Sequence, residues 1–207
     1  MPSDPPEPEK AQSRSGRSGS TARKQDEALM ARIAAGDARA FAEVVDTRLE
    51  RVHAVARRML GDPSDAEDVA QEALLRLWRQ ADAWDGNRAL ISTWLYRVTC
   101  NLCIDRIRAR REDVSDDLPE TPEAATQQQA LEEEDLRRFM DSALSALPER
   151  QRLALVLFHY EELSMAEVAE IMEVSVEAVE SLLARGRRTL KKKLAPAWQA
   201  MLPDDET

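Results

Sequence analysis

The sequence predicts an all-α protein of two small helical domains joined by a flexible acidic linker. Three observations lead there. Apolar residues recur at steps of three and four in several stretches. Helix-capping residues stand immediately before those stretches. Between the two helical groups, residues 112–135 carry ten acids and no Lys or Arg, so like charges keep that segment extended. A chain of 207 residues is long enough for one domain or two small ones.

Residues 1–24 are rich in Ser, Gly, Pro and Arg with almost nothing apolar, which predicts disorder. Leu29, Met30 and Ile33 then make a short apolar face that Gly36 terminates. Asp37 is the expected cap of a longer helix whose core positions are Phe41, Val44, Val45, Val52, Val55, Ala56, Met59 and Leu60, ending at Gly61, Asp62 and Pro63. Ser64 and Glu67 have the spacing of a capping box for the next helix. In that helix Val69, Ala70, Ala73, Leu74, Leu77, Trp78 and Ala81 form the apolar stripe. The opposite face, with Asp65, Asp68, Glu72, Arg76 and Arg79, reads by spacing alone as a solvated mixed-charge surface.

After the turn-rich loop ADAWDGNRAL comes STWLYRVTCNLCIDRIRARR. Here Thr93, Arg97, Asn101, Asp105 and Arg108 share one side of a helix. Such a polar stripe beside a basic end (Arg106, Arg108, Arg110, Arg111) can read bases and hold phosphates. Ile91, Leu95, Val98 and Leu102 line the adjacent buried face. Trp78 and Trp94 read as core anchors, although aromatics beside a basic helix also suit stacking on unpaired bases.

Cys100 and Cys103 are the only cysteines and His53 and His159 the only histidines. A structural zinc needs four ligands and a redox pair a helix N-terminus, so the two thiols are expected to pack, and no metal or cofactor is expected. No phosphate loop or nucleophilic triad is present, which argues against an enzyme. No apolar run has the length of a membrane span or the character of a signal peptide, so the expected compartment is the cytoplasm. The formal net charge of -10 would disfavour a DNA partner were it spread evenly. It belongs to the linker: residues 25–111 hold fourteen acids and fourteen bases, and residues 136–195 nine acids and ten bases.

The second domain opens with Leu136, Phe139, Met140, Ala143, Leu144 and Leu147 on a helix that stops at Pro148, followed by ERQRLALVLFHYEEL. Ser164 and Glu167 repeat the capping spacing, Ala169 is the small residue a helix-turn-helix requires, and Val179 and Leu182 supply the packing of its second helix. That helix should meet a major groove with its N-terminal residues nearest the bases. Ser175, Glu177, Glu180, Ser181, Ala184 and Arg185 are the candidate base contacts, and Arg187, Arg188 and Lys191 to Lys193 the candidate phosphate contacts.

DAEDVAQEALLRLWRQ, then WDG, then STWLYRVTCNLCIDRIRARR, resemble region 2 of the extracytoplasmic-function (ECF) group of bacterial RNA polymerase sigma factors, in the sigma-70 superfamily. The resemblance runs from about Asp26 to Arg111 and resumes from about Leu136 to Leu194. It implies a promoter-specificity subunit with no chemistry of its own, divided into a tail (1–24), region 2 (25–111), the acidic linker (112–135), region 4 (136–195) and a C-terminal tail (196–207). By resemblance, Asp65, Asp68, Glu72, Arg76 and Arg79 would dock on the clamp helices of the largest polymerase subunit. Region 4 would meet the flap of the second-largest subunit. The loop from Trp84 to Ser92, with Asn87 and Arg88, would take up a flipped non-template base. Thr93, Arg97, Asn101, Asp105 and Arg108 would read the minus-ten element. Ser175, Glu177, Glu180, Ser181, Ala184, Arg185 and Arg188 would read the minus-thirty-five element. The linker would run through the active-site and RNA-exit channels. An anti-sigma factor is the further partner implied, and the free protein is expected to be a monomer.

Two residues depart from the family pattern. Glu173 stands where the turn often has glycine, which predicts a strained backbone there. Glu180 stands where a basic residue is frequent; its carboxylate can accept from cytosine N4 but repels phosphate. Two other readings stay open at this stage: a sigma-like adaptor that sequesters an anti-sigma factor, and a stand-alone helix-turn-helix repressor.

Overall fold

A few side chains set the helix boundaries. Asp37 Oδ1 accepts from the N–H groups of Arg39 (3.0 Å) and Ala40 (3.3 Å), as expected of a cap. Gly61, in the left-handed region at φ 73°, closes the same helix by donating its N–H to Arg57 O. Ser164 and Glu167 form the expected reciprocal box: Glu167 N–H donates to Ser164 Oγ at 3.3 Å and Ser164 N–H to Glu167 Oε2 at 2.8 Å. The capping box expected at Ser64 does not form. Asp62 is the cap instead, accepting from Asp65 N–H at 2.9 Å, and Pro63 fills the first helical position, where its missing N–H leaves nothing unpaired.

The computed structural model describes residues 15–113 and 140–201. Its elements are α1 (Ser15–Ala34), α2 (Ala38–Leu60), α3 (Pro63–Gln80), a 3₁₀ turn (Ala81–Ala83), α4 (Ile91–Asp113), α5 (140–145), α6 (Glu149–Leu155) leading into a wide turn (Val156–Tyr160), α7 (Met165–Met172) and α8 (Val176–Met201). Among the described residues there is no strand, and no helix is long and apolar enough to cross a membrane. The expected disorder through Lys24 is corrected from Ser15 onward, where α1 has already begun. Helix α8 likewise continues through Pro196 to Met201, past the boundary expected at residue 195. Residues 1–14, residues 114–139 with nearly all of the acidic linker and the expected helix positions Leu136 and Phe139, and residues 202–207 lie outside the described residues.

Two cores hold these helices. The first lies wholly in the N-terminal lobe, where Met30, Ile33, Val44, Val52, Leu74, Leu77, Ile91 and Leu95 from α1 to α4 interlock. The second does not respect the lobe boundary. Val55, Met59, Val69, Tyr96, Cys100 and Cys103 of the first lobe share one cluster with Leu144, Leu153, Leu157, Ile171, Val179 and Leu183 of the second. On α8 the buried packing residues are Val179 and Leu183, with Leu182, expected in that role, only partly covered. Close approach of α8 to α6 occurs at Gly186, where a Cβ would stand 2.7 Å from Leu155 Cδ1.

Polar contacts inside the seam between the lobes are few and specific. Arg152 is 5% exposed, and its Nη1 donates to Met59 O at 2.6 Å while Nη2 donates to Ser145 O. The first of these contacts satisfies a carbonyl at the C-terminal end of α2 from the opposite lobe. Burial and the nearby Arg111 charge hold the Arg152 pKa below its ordinary value, so the guanidinium sits in a costly place. Tyr96 Oη donates to Glu161 Oε2 at 2.8 Å, and Arg58 lies over the Tyr160 ring at 4.4 Å.

Arg152→Ala leaves two carbonyls without donors and a void across the seam. Urea unfolding should show a loss of about 2 kcal/mol or more; a wild-type midpoint would mean the lobes do not depend on this contact.

Candidate polymerase and nucleic-acid interfaces

Of the five residues expected on the polymerase-facing side of α3, four point outward. Asp68, Arg76 and Arg79 are exposed, and Glu72 accepts from Arg76 Nε at 2.7 Å, one turn away along the helix. Asp65 is the least exposed of the five: its side chain is only 17% exposed and pairs with Arg106 Nε at 3.0 Å and with Arg110. Arg106 also reaches Asp68 at 3.1 Å. Two apolar residues complete this face, Leu75 at 47% exposure and Trp78 at 38%. Trp78 is therefore a surface residue, braced edge-on by Phe41 at 4.9 Å, and not the core anchor its place in the apolar stripe implied. Leu75 was legible as an apolar residue off that stripe.

The loop between α3 and α4 is a run of tight turns. Arg88 N–H donates to Asp85 O at 3.1 Å, and Asn87 N–H to Asp85 Oδ1 at 3.0 Å. This leaves the Asn87 and Arg88 side chains exposed together, as expected of groups that would meet a base. Beneath them Trp84 and Trp94 meet edge to face at 6.1 Å and pack on the first core, so Trp94 keeps its structural role.

On α4, Thr93, Arg97, Asn101, Asp105 and Arg108 do share one side, but the second lobe already occupies much of it. Arg97 Nη2 donates to Glu170 O at 3.0 Å and Nη1 pairs with Glu173 at 3.2 Å. Arg108 Nε stands 3.5 Å from Glu149, which also accepts from Arg111 Nη1 at 2.7 Å. Asn101, Asp105 and Arg108 line one wall of a cleft of about 360 Å³, and Arg150 and Glu173 line the other. All four basic residues at the end of α4 are thus engaged, Arg106 and Arg110 with Asp65 and Arg108 and Arg111 with Glu149. The expectation that they stand free for phosphate does not hold for this closed arrangement.

The cause lies on the remaining side of the same helix. Cys100, Cys103, Ile104 and Ile107 recur at three, one and three and pack into the second core. Sequence reasoning assigned the thiols to packing but did not identify this second apolar face, although its spacing was there to be found. Burial raises both thiol pKa values, that of Cys103 to about 12.

Helix α8 presents the opposite situation. Ser175, Glu177, Glu180, Ala184, Arg185 and Arg188 are exposed and Ser181 is half-buried, all along the N-terminal half of the helix. Ser175 Oγ accepts from Ala178 N–H at 3.3 Å, and Ser175 also holds Glu177 below the usual carboxylate range. Arg187 turns back toward its own lobe: its Nε donates to His159 Nε2 at 3.3 Å, and burial with the Arg187 charge keeps the imidazole pKa low. In the turn before α8, Glu173 adopts φ 53° and ψ 49°, the left-handed strain expected where the family often has glycine.

A helix-turn-helix with an outward reading helix, joined to a second helical lobe with its own polar helix stripe and an exposed loop, is the architecture of a two-part promoter-recognition subunit. Comparison with known proteins gives the family. Residues 44–112 match sigma-70 region 2 and residues 140–190 match sigma-70 region 4. SigW of Bacillus subtilis (strain 168), an ECF RNA polymerase sigma factor, is 34% identical over 171 residues, spanning 77% of this chain and 91% of SigW. The ECF sigma-E factor of Escherichia coli (strain K12) is 32% identical over 184 residues, spanning 83% and 95%. The solved structure of CnrH in complex with the cytosolic domain of CnrY has a TM-score of 0.64 at 27% identity and covers 83% of this chain and 97% of CnrH. The fold is also that of the sigma factor RpoE from Bartonella quintana, solved with the anti-sigma factor NepR, at a TM-score of 0.60, 24% identity and coverage of 75% and 96%. The chain belongs to the ECF group of the sigma-70 family, and its function is that of an RNA polymerase sigma factor.

Two outcomes follow from this geometry. Glu173→Gly should raise stability by about 1 kcal/mol in thermal unfolding, since glycine adopts the left-handed conformation freely and the exposed pair with Arg97 is worth less; a lower midpoint would show that the pair outweighs the strain. Cys100 and Cys103 should react with a maleimide far more slowly in the native protein than in urea, because both are buried and protonated. Equal rates would mean the seam is open in solution.

Proposed function

We propose that this sigma factor initiates transcription through three separate surfaces. Asp68, Glu72, Leu75, Arg76, Trp78 and Arg79 on α3 dock on the clamp helices of the largest polymerase subunit, while region 4 meets the flap of the second-largest. An exposed apolar pair within a charged rim is the usual make-up of such a contact. Asn87 and Arg88 receive a flipped non-template base, with Thr93, Arg97, Asn101, Asp105 and Arg108 reading the rest of the minus-ten element. The binding energy offsets an unstacking cost of a few kcal/mol. Helix α8 reads the minus-thirty-five duplex through Ser175, Glu177, Glu180, Ser181, Ala184, Arg185 and Arg188.

The observation that carries this reading is the outward stripe on α8, where all the expected base contacts but the half-buried Ser181 are exposed. Joined in one chain, the two readers raise each other's effective concentration on a promoter. Because Arg97 and Arg108 are held by Glu173 and Glu149, minus-ten reading requires the second lobe to leave α4. We propose that polymerase and DNA stabilise that opened form, and that an anti-sigma factor is the partner that opposes it. CnrH is solved with the cytosolic domain of CnrY, which supports a protein partner for a chain of this fold. A subunit that acts on polymerase would work in the cytoplasm and would need no catalytic residue or cofactor of its own.

Open-promoter formation should require both this protein and core polymerase. Asn101→Ala should lower opening about tenfold, the loss of one to two hydrogen bonds to a base, while leaving affinity for core unchanged. Equal loss of core binding would remove this face from the minus-ten role, and duplex binding by the protein alone at an inverted repeat would make it a repressor.

A further inference from the structure

Helix α1 touches the loop between α3 and α4 at three successive points. Arg23 Nη1 donates to Asn87 O at 3.2 Å. Asp26 Oδ2 accepts from Ile91 N–H at 2.7 Å, the first amide of α4. Glu27 lies so close to Gly86 that a Cβ there would stand 2.4 Å from its Cγ. Arg23, Asp26 and Glu27 are spaced three and one apart, so they share one face of α1. The residues they engage, Gly86, Asn87 and Ile91, span the loop from its turn to the start of α4.

Asp26 is the key contact of the three. The first amides of a helix have no partner within it and carry its positive end, and a carboxylate is their favoured acceptor. That acceptor usually precedes the helix in sequence. Here it comes from a helix 65 residues earlier. Asp26 is half-buried, and burial raises its pKa against the opposing pull of the Ile91 N–H and the Arg48 charge. The carboxylate is thus held where its own solvation suffers, which is sustained only because α1 is anchored by Met30 and Ile33 in the first core.

We propose that α1 is the template for the base-capturing loop and that Asp26 is a positioning residue for it, fixing where Asn87 and Arg88 stand relative to the first turn of α4. This rests on the reading of that loop as the site of the flipped base. Arg23 tethers the middle of the loop, and Gly86 allows it to lie flush on α1. Truncating α1 would then change which base is accepted before it changed whether the protein binds polymerase.

The test uses the full chain with core polymerase and forked promoter DNA whose minus-ten non-template strand is unpaired, with each of the four bases placed in turn at every position. Asn87→Ala first identifies the position at which the loop discriminates. At that position Asp26→Ala should lower discrimination about fivefold, the factor of a lost helix cap, with core affinity unchanged. Asp26→Asn, which keeps an oxygen acceptor, should restore most of it, and Arg23→Ala should lower it in the same direction. Exchange of the Ile91 amide in the free protein should quicken in Asp26→Ala and recover in Asp26→Asn. Wild-type discrimination in both Asp26→Ala and Arg23→Ala overturns the proposal. If Asp26→Ala does not fold, Arg23→Ala decides alone, because Arg23 is exposed and makes one loop contact. If Asn87→Ala alters discrimination at no position, the loop is not the reader, and the reading it rests on falls together with the proposal.

Discussion

Helix α4 carries apolar side chains on two sides, Ile91 and Leu95 toward the first core and Cys100 and Cys103 toward the second. A helix apolar over that much of its circumference has to be covered from more than one direction. Helices α1 to α3 cover one side, and the other is left for α6 and α7. The two lobes are therefore parts of one continuous apolar structure in the closed form, with the seam running along α4. Small lobes of this size bury too little surface to be very stable alone, so sharing a core adds stability to both.

The polar stripe of α4 lies at the edge of that seam, and this links folding to function. The groups suited to DNA are the groups the second lobe uses as anchors: Arg97 holds Glu170 O and Glu173, and Arg108 faces Glu149. The ion pairs are partly exposed and individually weak. Apolar burial around Cys100 and Cys103, with the buried Arg152, contributes more. Separating the lobes would therefore cost mainly the apolar part of the seam.

Strain and irregularity gather around the same places. Glu173 is left-handed in the turn of the helix-turn-helix and is also the residue paired with Arg97. Glu162, the other described non-glycine residue with positive φ, follows the wide turn after α6, beside Glu161 and its bond from Tyr96. Backbone in a costly conformation persists at such a contact only because the packing around it over-determines it. The exposed side of α3 shows the reverse: regular helix, with an outward Trp78 braced by Phe41.

How much of this was legible depended on the range of the interaction involved. Caps, apolar stripes and the helix-turn-helix are local, governed by residues within a turn or two of one another, and Asp37, the Ser164–Glu167 box and the outward stripe of α8 all stand as the sequence implied. The local reading also failed in places, at Ser64 because Asp62 and Pro63 together compete for the same helix start, and at Trp78, which the apolar stripe put in the core. Contacts between distant segments could not be read that way. Asp26 capping α4, Arg152 reaching Met59 O, Asp65 turning inward to Arg106 and Arg97 pairing with Glu173 each join residues far apart in the chain. The sequence by itself determined the helices and the two-lobe family architecture, and by resemblance it named candidate side chains for DNA. Only the tertiary structure decided which of those side chains are free, because a guanidinium pairs with whichever carboxylate the packing of apolar faces brings within reach.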